Sequence, residues 1–468
     1  MTDAPLHYQS LLTVAERLRQ GEITSIALTQ HMLDRSAALE PQLKSYATLM
    51  ADQALAAARQ ADAEIAAGHY RSPLHGVPIA VKDLCYTRGV RTMGALKVLA
   101  DFVPEFDATV VERLAAAGAI LLGKLNLTEG AMAGYHPDFE IPRNPWDLSK
   151  WAGVSSSGSG VATAAGLAFA TLGSDTGGSI RFPSAACGTV GLKPTWGRVS
   201  RYGVLNLAES LDHVGPMTRT VADAALTFQV IAGHDPHDPT SLTAPVPDIL
   251  ARLDGDIRGV RLGVDEAYIM TDSEPEVSAA VMAAIELLTG LGAEIVPVQM
   301  PDVSEVSQAW VTLSTAEAVL AHEANYPSRR DEYGPYFLGL LDNGAKVTGA
   351  EYARAQKLRH AVTGQIRAVF DQIDVLASPS SPLQPWVAPP EMLYGPGGKR
   401  NPARQKYAVP FDFNGAPTLS LPCGFASDGM PLSLQLAGPL LGEEMICRVG
   451  YAYEQATAWH EQHPPLFP

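Results

Sequence analysis

From Tyr8 to about Gly68 the apolar positions recur every three to four residues, in "YQSLLTVAERLRQ", "TSIALTQHMLDRSAALE" and the Ala-rich "ADQALAAARQADAEIAAG". That spacing predicts three helices, with Thr24 or Ser25 as the N-cap of the second. The period then changes. "LHGVPIAVKDL" carries a short apolar run at Val77 to Val81 that reads as a buried strand, and "ATVVERLAAAGAILLGKLN" reads as a helix, a stop at Gly118 and another buried strand. "SGVATAAGLAFATLGSD" repeats helix then strand, and a helix over Thr220 to Gly233 follows. Further on, "GVRLGVD", "AEIVPVQM", "DVLASP", "TLSLPCGF" and "LSLQLAG" read as strands. "EPEVSAAVMAAIELLTGLG", "SEVSQAWVTLSTAEAVLAHEA" and "GAEYARAQKLRHAVTGQIRAVF" read as helices. The alternation predicts an α/β fold with a sheet covered by helices on both faces. No linker-like run divides the chain, so the expected organisation is a helical N-terminal extension over 1–70 and one α/β domain over 71–468.

Two stretches fit neither period. Ser378 to Arg404 is too rich in proline and glycine for regular structure, and a loop of that length is a candidate functional segment. "GSDTGGSIRFPSAACGTVGLKP", Gly173 to Pro194, crowds glycines and serines around one aspartate and one arginine, in a run that suits neither helix nor strand. Glycines gather where a backbone turns sharply or another group comes close.

Composition narrows the function. The 468 residues are 46% hydrophobic and 18% charged, which is ordinary for a globular chain with a large core. A net charge of −16 disfavours a nucleic-acid or anionic-membrane surface, and the basic cluster "KRNPARQK" from Lys399 to Lys406 is short. No nucleic-acid or membrane partner is expected; a small-molecule substrate is, with a homodimer as the assembly considered. Cys85, Cys187, Cys423 and Cys447 lack metal or disulfide spacing and read as buried thiols. The start "MTDAPLHYQS" has no signal-peptide pattern, so a cytoplasmic location is expected.

Several chemistries fall away. "HDPHD" at His234 to Asp238 follows a helix and carries two prolines, so it reads as a turn rather than a metal cluster. No metal or cofactor is expected. "SSSGSG" at Ser155 to Gly160 lacks the lysine of a phosphate loop, and the G-x-S-x-G elbow and S-x-x-K pattern are both absent. What remains is Ser179 behind Gly177 and Gly178. Consecutive unencumbered N–H groups there can converge on an oxyanion beside a serine Oγ. A serine nucleophile needs a base. A distant histidine could fold in; Lys82 is the alternative, because burial at a strand end without a carboxylate lowers a lysine's pKa. The neighbouring Asp83 would point to the opposite face.

"GVPIAVKDL", "AGVSSSGSGVATAAG" and "GSDTGGSIRFPSAACGTVGLKPTWGRVSRYG" resemble, in order and spacing, the core of the amidase signature family. The resemblance spans Gly76 to Ser241 and resumes at "GAPTLSLPCGF" and "PLSLQLAGP". It implies one large mixed sheet and a Ser-Ser-Lys triad. Ser179 would be the nucleophile, Ser155 the bridging serine that usually carries a cis peptide, and Lys82 the base. The implied oxyanion hole is the backbone N–H groups of Thr176, Gly177, Gly178 and Ser179. Where the family usually has two glycines before its serine pair, this chain has Gly153 and Val154. Asp175 and Arg181 read as structural hydrogen-bonders.

The run from "GRVSRYG" to "DPTS" is especially similar to the A subunit of glutamyl-tRNA amidotransferase. That subunit carries an aspartate for the glutamine α-amino group five residues before a proline; counting back from Pro410 here gives the uncharged Gln405. A free-standing amidase for a small neutral, aryl or hydrophobic amide is therefore expected. The alternatives are a carbamate hydrolase, the glutaminase subunit of a tRNA-dependent amidotransferase, and a catalytically inactive binding protein. Met132 and Tyr135, with Phe337, Trp386 and Tyr394, are the candidates for an apolar substrate wall.

Overall fold

A computed structural model describes residues 4–394 and 402–467. Its centre is one eleven-stranded mixed sheet. The strands are β1 (Tyr46–Leu49), β2 (Pro78–Lys82), β3 (Ile120–Leu125), β4 (Ala170–Asp175), β5 (Val190–Lys193), β6 (His213–Thr218), β7 (Arg261–Val264), β8 (Glu294–Pro297), β9 (Val375–Pro379), β10 (Thr418–Phe425) and β11 (Pro431–Ala437). They lie in the order β1-β3-β2-β4-β6-β5-β10-β11-β9-β7-β8. β2 runs parallel to β3 and β4, and β7 runs parallel to β8 and β9; the central pairs β4–β6, β6–β5, β5–β10 and β10–β11 are antiparallel.

Successive strand residues point to opposite faces, so a strand buried at every position is covered on both sides. β2, β4, β5, β6, β9 and β11 are buried at every residue, which places helices on both faces of the sheet. The small side chains of Ser157–Ala164, every one buried, let that helix lie close on β2 and β4. Thr24 caps its helix by accepting from Ala27 N–H, and Thr220 does the same from Asp223 N–H. Gly118 ends the turn after Thr109–Ala116 at φ +87°, where a Cβ would come within 2.4 Å of the His75 ring.

Two expectations from the sequence are corrected. The first 70 residues are not helical throughout, because Tyr46–Leu49 pairs with β3 as the edge strand of the same sheet. Four residues are too short for their alternation to stand out between two helices. The stretch from Gly173 to Pro194 is also more regular than its composition suggests: it holds the end of β4, a helix over Arg181–Cys187 and all of β5. Tertiary burial there overrides local propensity. The four cysteines are free and buried, and among the described residues no helix is long and apolar enough to cross a membrane.

Candidate active site

Lys82 is the last residue of β2, fully buried, and its side chain crosses to the helix and strand beside it. Its Nζ donates to Ser155 Oγ at 2.7 Å, Ser174 Oγ at 2.8 Å and Ser156 Oγ at 3.0 Å. An ammonium has three N–H donors, and three hydroxyls meet it. Among the described residues no carboxylate does. Asp83, next along the chain, faces the other way and pairs with buried Lys124 at 3.3 Å. Desolvation dominates and lowers Lys82 to about 7; more distant Cys85, Asp175 and Asp212 offset only part of it.

The glycine-rich turn after β4 is held by Asp175. Its Oδ1 accepts from Gly178 N–H at 2.6 Å and its Oδ2 from Ile180 N–H at 2.9 Å. Arg181 locks the same carboxylate through Nε at 3.1 Å and Nη2 at 2.8 Å, and also reaches Asp412 Oδ2 at 2.7 Å and Ala408 O at 2.8 Å. Burial alone would raise Asp175, but the Arg181 charge outweighs it and holds the carboxyl well below its usual range. On the other side, Thr176 Oγ1 donates to Asp212 at 2.6 Å and Trp310 Nε1 donates to Thr176 O at 2.7 Å. The glycines now have their reason. A Cβ on Gly177 would sit 2.6 Å from the Trp310 indole, and Gly178 has φ +116° with the Phe182 ring 2.3 Å from its would-be Cβ.

Ser179 opens onto a cleft of about 740 Å³, mouth included, lined by Met132, Val154, Phe182, Leu207, Trp310 and Tyr336 among others. Lys82 and Ser155 are sealed beneath it, whereas Ser179 is 8% exposed. The arrangement holds a buried lysine with a lowered pKa, a hydroxyl bonded to it and a serine that reaches the cleft, groups of the kinds that acyl transfer uses. No hydrogen bond joins Ser155 Oγ to Ser179 Oγ among the described residues. No histidine bonds Ser179 there either; buried His213 instead makes a 3.1 Å contact with Asp175 O.

Four particulars differ from the sequence reading. The Val154–Ser155 peptide is trans, the one cis bond among the described residues being Tyr326–Pro327. A cis bond outside proline costs about 3 kcal/mol, and Val154 stands where the resemblance has glycine. The Gly178 N–H is already given to Asp175, while no partner occupies those of Gly177 and Ser179 among the described residues. Tyr135 does not reach the Ser179 cleft: its hydroxyl bonds Ser157 Oγ at 2.7 Å, and it lines a separate depression with Tyr394. Phe337 is buried behind Gly130, and Trp386 stacks on Trp151 with centroids 4.3 Å apart. Of the expected apolar wall, Met132 alone lines the cleft. Trp310 and Tyr336 take the places of the others. No pattern in the chain marks them, because helix and loop residues far apart in sequence converge there; Tyr336 adjoins the expected Phe337. Gln405, found by counting from Pro410, does line the cleft, as does Arg404.

Residues 27–447 match the family described as Amidase. The chain belongs to the amidase family. It is 46% identical to AmiD of Mycobacterium tuberculosis (strain ATCC 25618 / H37Rv) over 461 residues, covering 97% of this chain and 96% of that protein. It is 43% identical to the A subunit of the glutamyl-tRNA(Gln) amidotransferase of Roseiflexus sp. (strain RS-1) over 487 residues, covering 98% and 99%. Among solved structures, a bacterial aryl acylamidase of the amidase signature family superposes with a TM-score of 0.88 at 25% identity, covering 98% of each chain. The amidase family accounts for the hydrolase class; these relatives differ in what they act on.

Proposed function

We propose that this amidase hydrolyses the C–N bond of small amides with an apolar or aryl portion through an acyl-enzyme on Ser179. The observation that carries the reading is the buried, carboxylate-free Lys82 bonded to Ser155 beneath the cleft floor. Neutral Lys82 withdraws a proton from Ser155 as Ser155 takes one from Ser179 Oγ, which attacks the carbonyl. The N–H groups of Gly177 and Ser179 receive the oxyanion. The contact between Ser155 and Ser179 forms in the substrate complex, where catalytic hydrogen bonds tighten. Lys82 then returns its proton through Ser155 to the leaving amine, and water releases the acid by the reverse relay.

The apolar cleft walls and the likeness to an aryl acylamidase support aryl amides; aryl carbamates offer the same carbonyl and are the nearest variant. The glutaminase reading has in its favour the 43% identity to an amidotransferase subunit, and against it the uncharged Gln405. The test is release of p-nitroaniline from p-nitroacetanilide beside release of ammonia from glutamine. Turnover of the anilide, abolished in Ser179→Ala with the same unfolding midpoint, is the expected result. Ammonia from glutamine alone would favour the glutaminase, and unchanged turnover in Ser179→Ala would end the nucleophile assignment.

A further inference from the structure

The buried cations of this protein have acceptors at their terminal nitrogens, even where an arginine Nε is left unpaired, as in Arg198, Arg201 and Arg219. Lys82 meets three hydroxyls, Lys124 meets Asp83, Arg181 meets two carboxylates, and Arg198 meets the carbonyls of Ala244 and Pro245. Arg404 differs. It lines the Ser179 cleft, and among the described residues no acceptor meets its terminal nitrogens, no partner meets its sealed Nε and no carboxylate reaches its guanidinium. Its Cζ lies 4.2 Å from the Trp151 ring centroid and 4.2 Å from that of Trp386. Aromatic faces stabilise a cation but accept little from its N–H edges, so the donor fork stays available. Burial lowers its pKa to about 10, the nearby Tyr336 opposing, so the group remains charged at neutral pH.

Gln405 stands beside it on the same wall. Its side-chain carbonyl is occupied by Ser307 Oγ at 2.5 Å, which leaves the amide N–H groups with no partner among the described residues. A guanidinium fork and an amide donor therefore share one wall of a mostly apolar cleft that no carboxylate lines among the described residues. Donors with one positive charge complement an oxyanion.

We propose that the Arg404–Gln405 wall binds a carboxylate carried by the substrate, so that the preferred amides pair an apolar body with an anionic group instead of being neutral throughout. The inference rests on the amidase reading for the position of the scissile bond, and it replaces the neutral substrate expected from the sequence. A glutamine-type α-amino group is disfavoured at this wall, because it would face a cation.

The test uses Ser179→Ala, which holds ligand without consuming it, titrated calorimetrically with succinanilate and with its methyl ester. The two probes share the anilide and differ in the charge. The acid should bind about 10- to 100-fold more tightly than the ester, as hydrogen bonds to charged groups allow. Adding Arg404→Met should bring the ratio close to one, and Arg404→Lys should keep part of it, since a lysine retains charge but not the fork. Gln405→Leu should lower the ratio in part, and with Arg404→Lys it keeps the test decisive if the methionine variant fails to fold. An ester bound as tightly as the acid, or a ratio unmoved by the Arg404 variants, would overturn the proposal. Failure of the amidase reading looks different: the unmutated protein would cleave neither probe nor any anilide, while the binding ratio would still report on Arg404.

Discussion

Replacing Ser174 by alanine removes one of the three hydroxyls that accept from Lys82, the one at 2.8 Å, and leaves the strand's backbone bonds in place. In the unmutated protein, desolvation lowers Lys82 to about 7, so the neutral, proton-accepting form grows through that pH and activity rises with it. Between pH 6 and pH 8 the neutral fraction grows from about a tenth to about nine-tenths, which makes kcat/KM rise roughly 10-fold along one ionisation. A hydroxyl that accepts from an ammonium stabilises the charged form by about 1.5–3 kcal/mol, and each 1.4 kcal/mol is about one pKa unit. Ser174→Ala should therefore move the limb about one unit toward acid, raising the fraction of plateau activity at pH 6 about fivefold. Initial rates of anilide hydrolysis from pH 5 to 9 read this directly. A histidine base would titrate near the same pH, so the shift discriminates where the limb itself does not. A limb that stays put, or moves toward alkali, would refute Lys82 as the group that titrates.

The same burial has a stability signature. The unfolded chain's lysine keeps its proton above pH 7 while the folded one does not, so wild-type stability should gain roughly 1.4 kcal/mol per pH unit over Lys82→Met from about pH 7 upward, measurable by urea unfolding. Gly177→Ala pushes a methyl to 2.6 Å from Trp310, so it should lose most activity and about 1–3 kcal/mol of stability, checked by turnover and unfolding together. Arg181→Met strands the buried Asp175 and Asp412 carboxyls, and should cost about 3–5 kcal/mol; a loss below 1 kcal/mol would contradict the network. Tyr135→Phe removes one buried hydrogen bond to Ser157, so it should cost about 1 kcal/mol without altering the ranking of acyl groups in a substrate panel.

The α/β class was legible in the chain alone, because buried strands and amphipathic helices carry different periods that need no partner to be read. The chain also marked Lys82 and Ser179 as candidates, to which the family resemblance added Ser155. Those positions sit in motif blocks whose glycines and serines answer to local demands, such as the positive φ at Gly178 and the strand end at Lys82. What lies beyond was decided by packing between distant segments. β1 exists because Tyr46–Leu49 finds the edge of β3. The helix at Arg181–Cys187 exists within a salt-bridged turn that Asp412, more than two hundred positions away, helps to close. The cleft wall was least legible, since Met132, Trp310, Tyr336 and Arg404 share no local pattern and meet only when the sheet brings their elements together. Local propensity fixes a residue's conformation, but the burial that lowers the Lys82 pKa and the surroundings that bring no carboxylate to Arg404 among the described residues are properties of the folded interior.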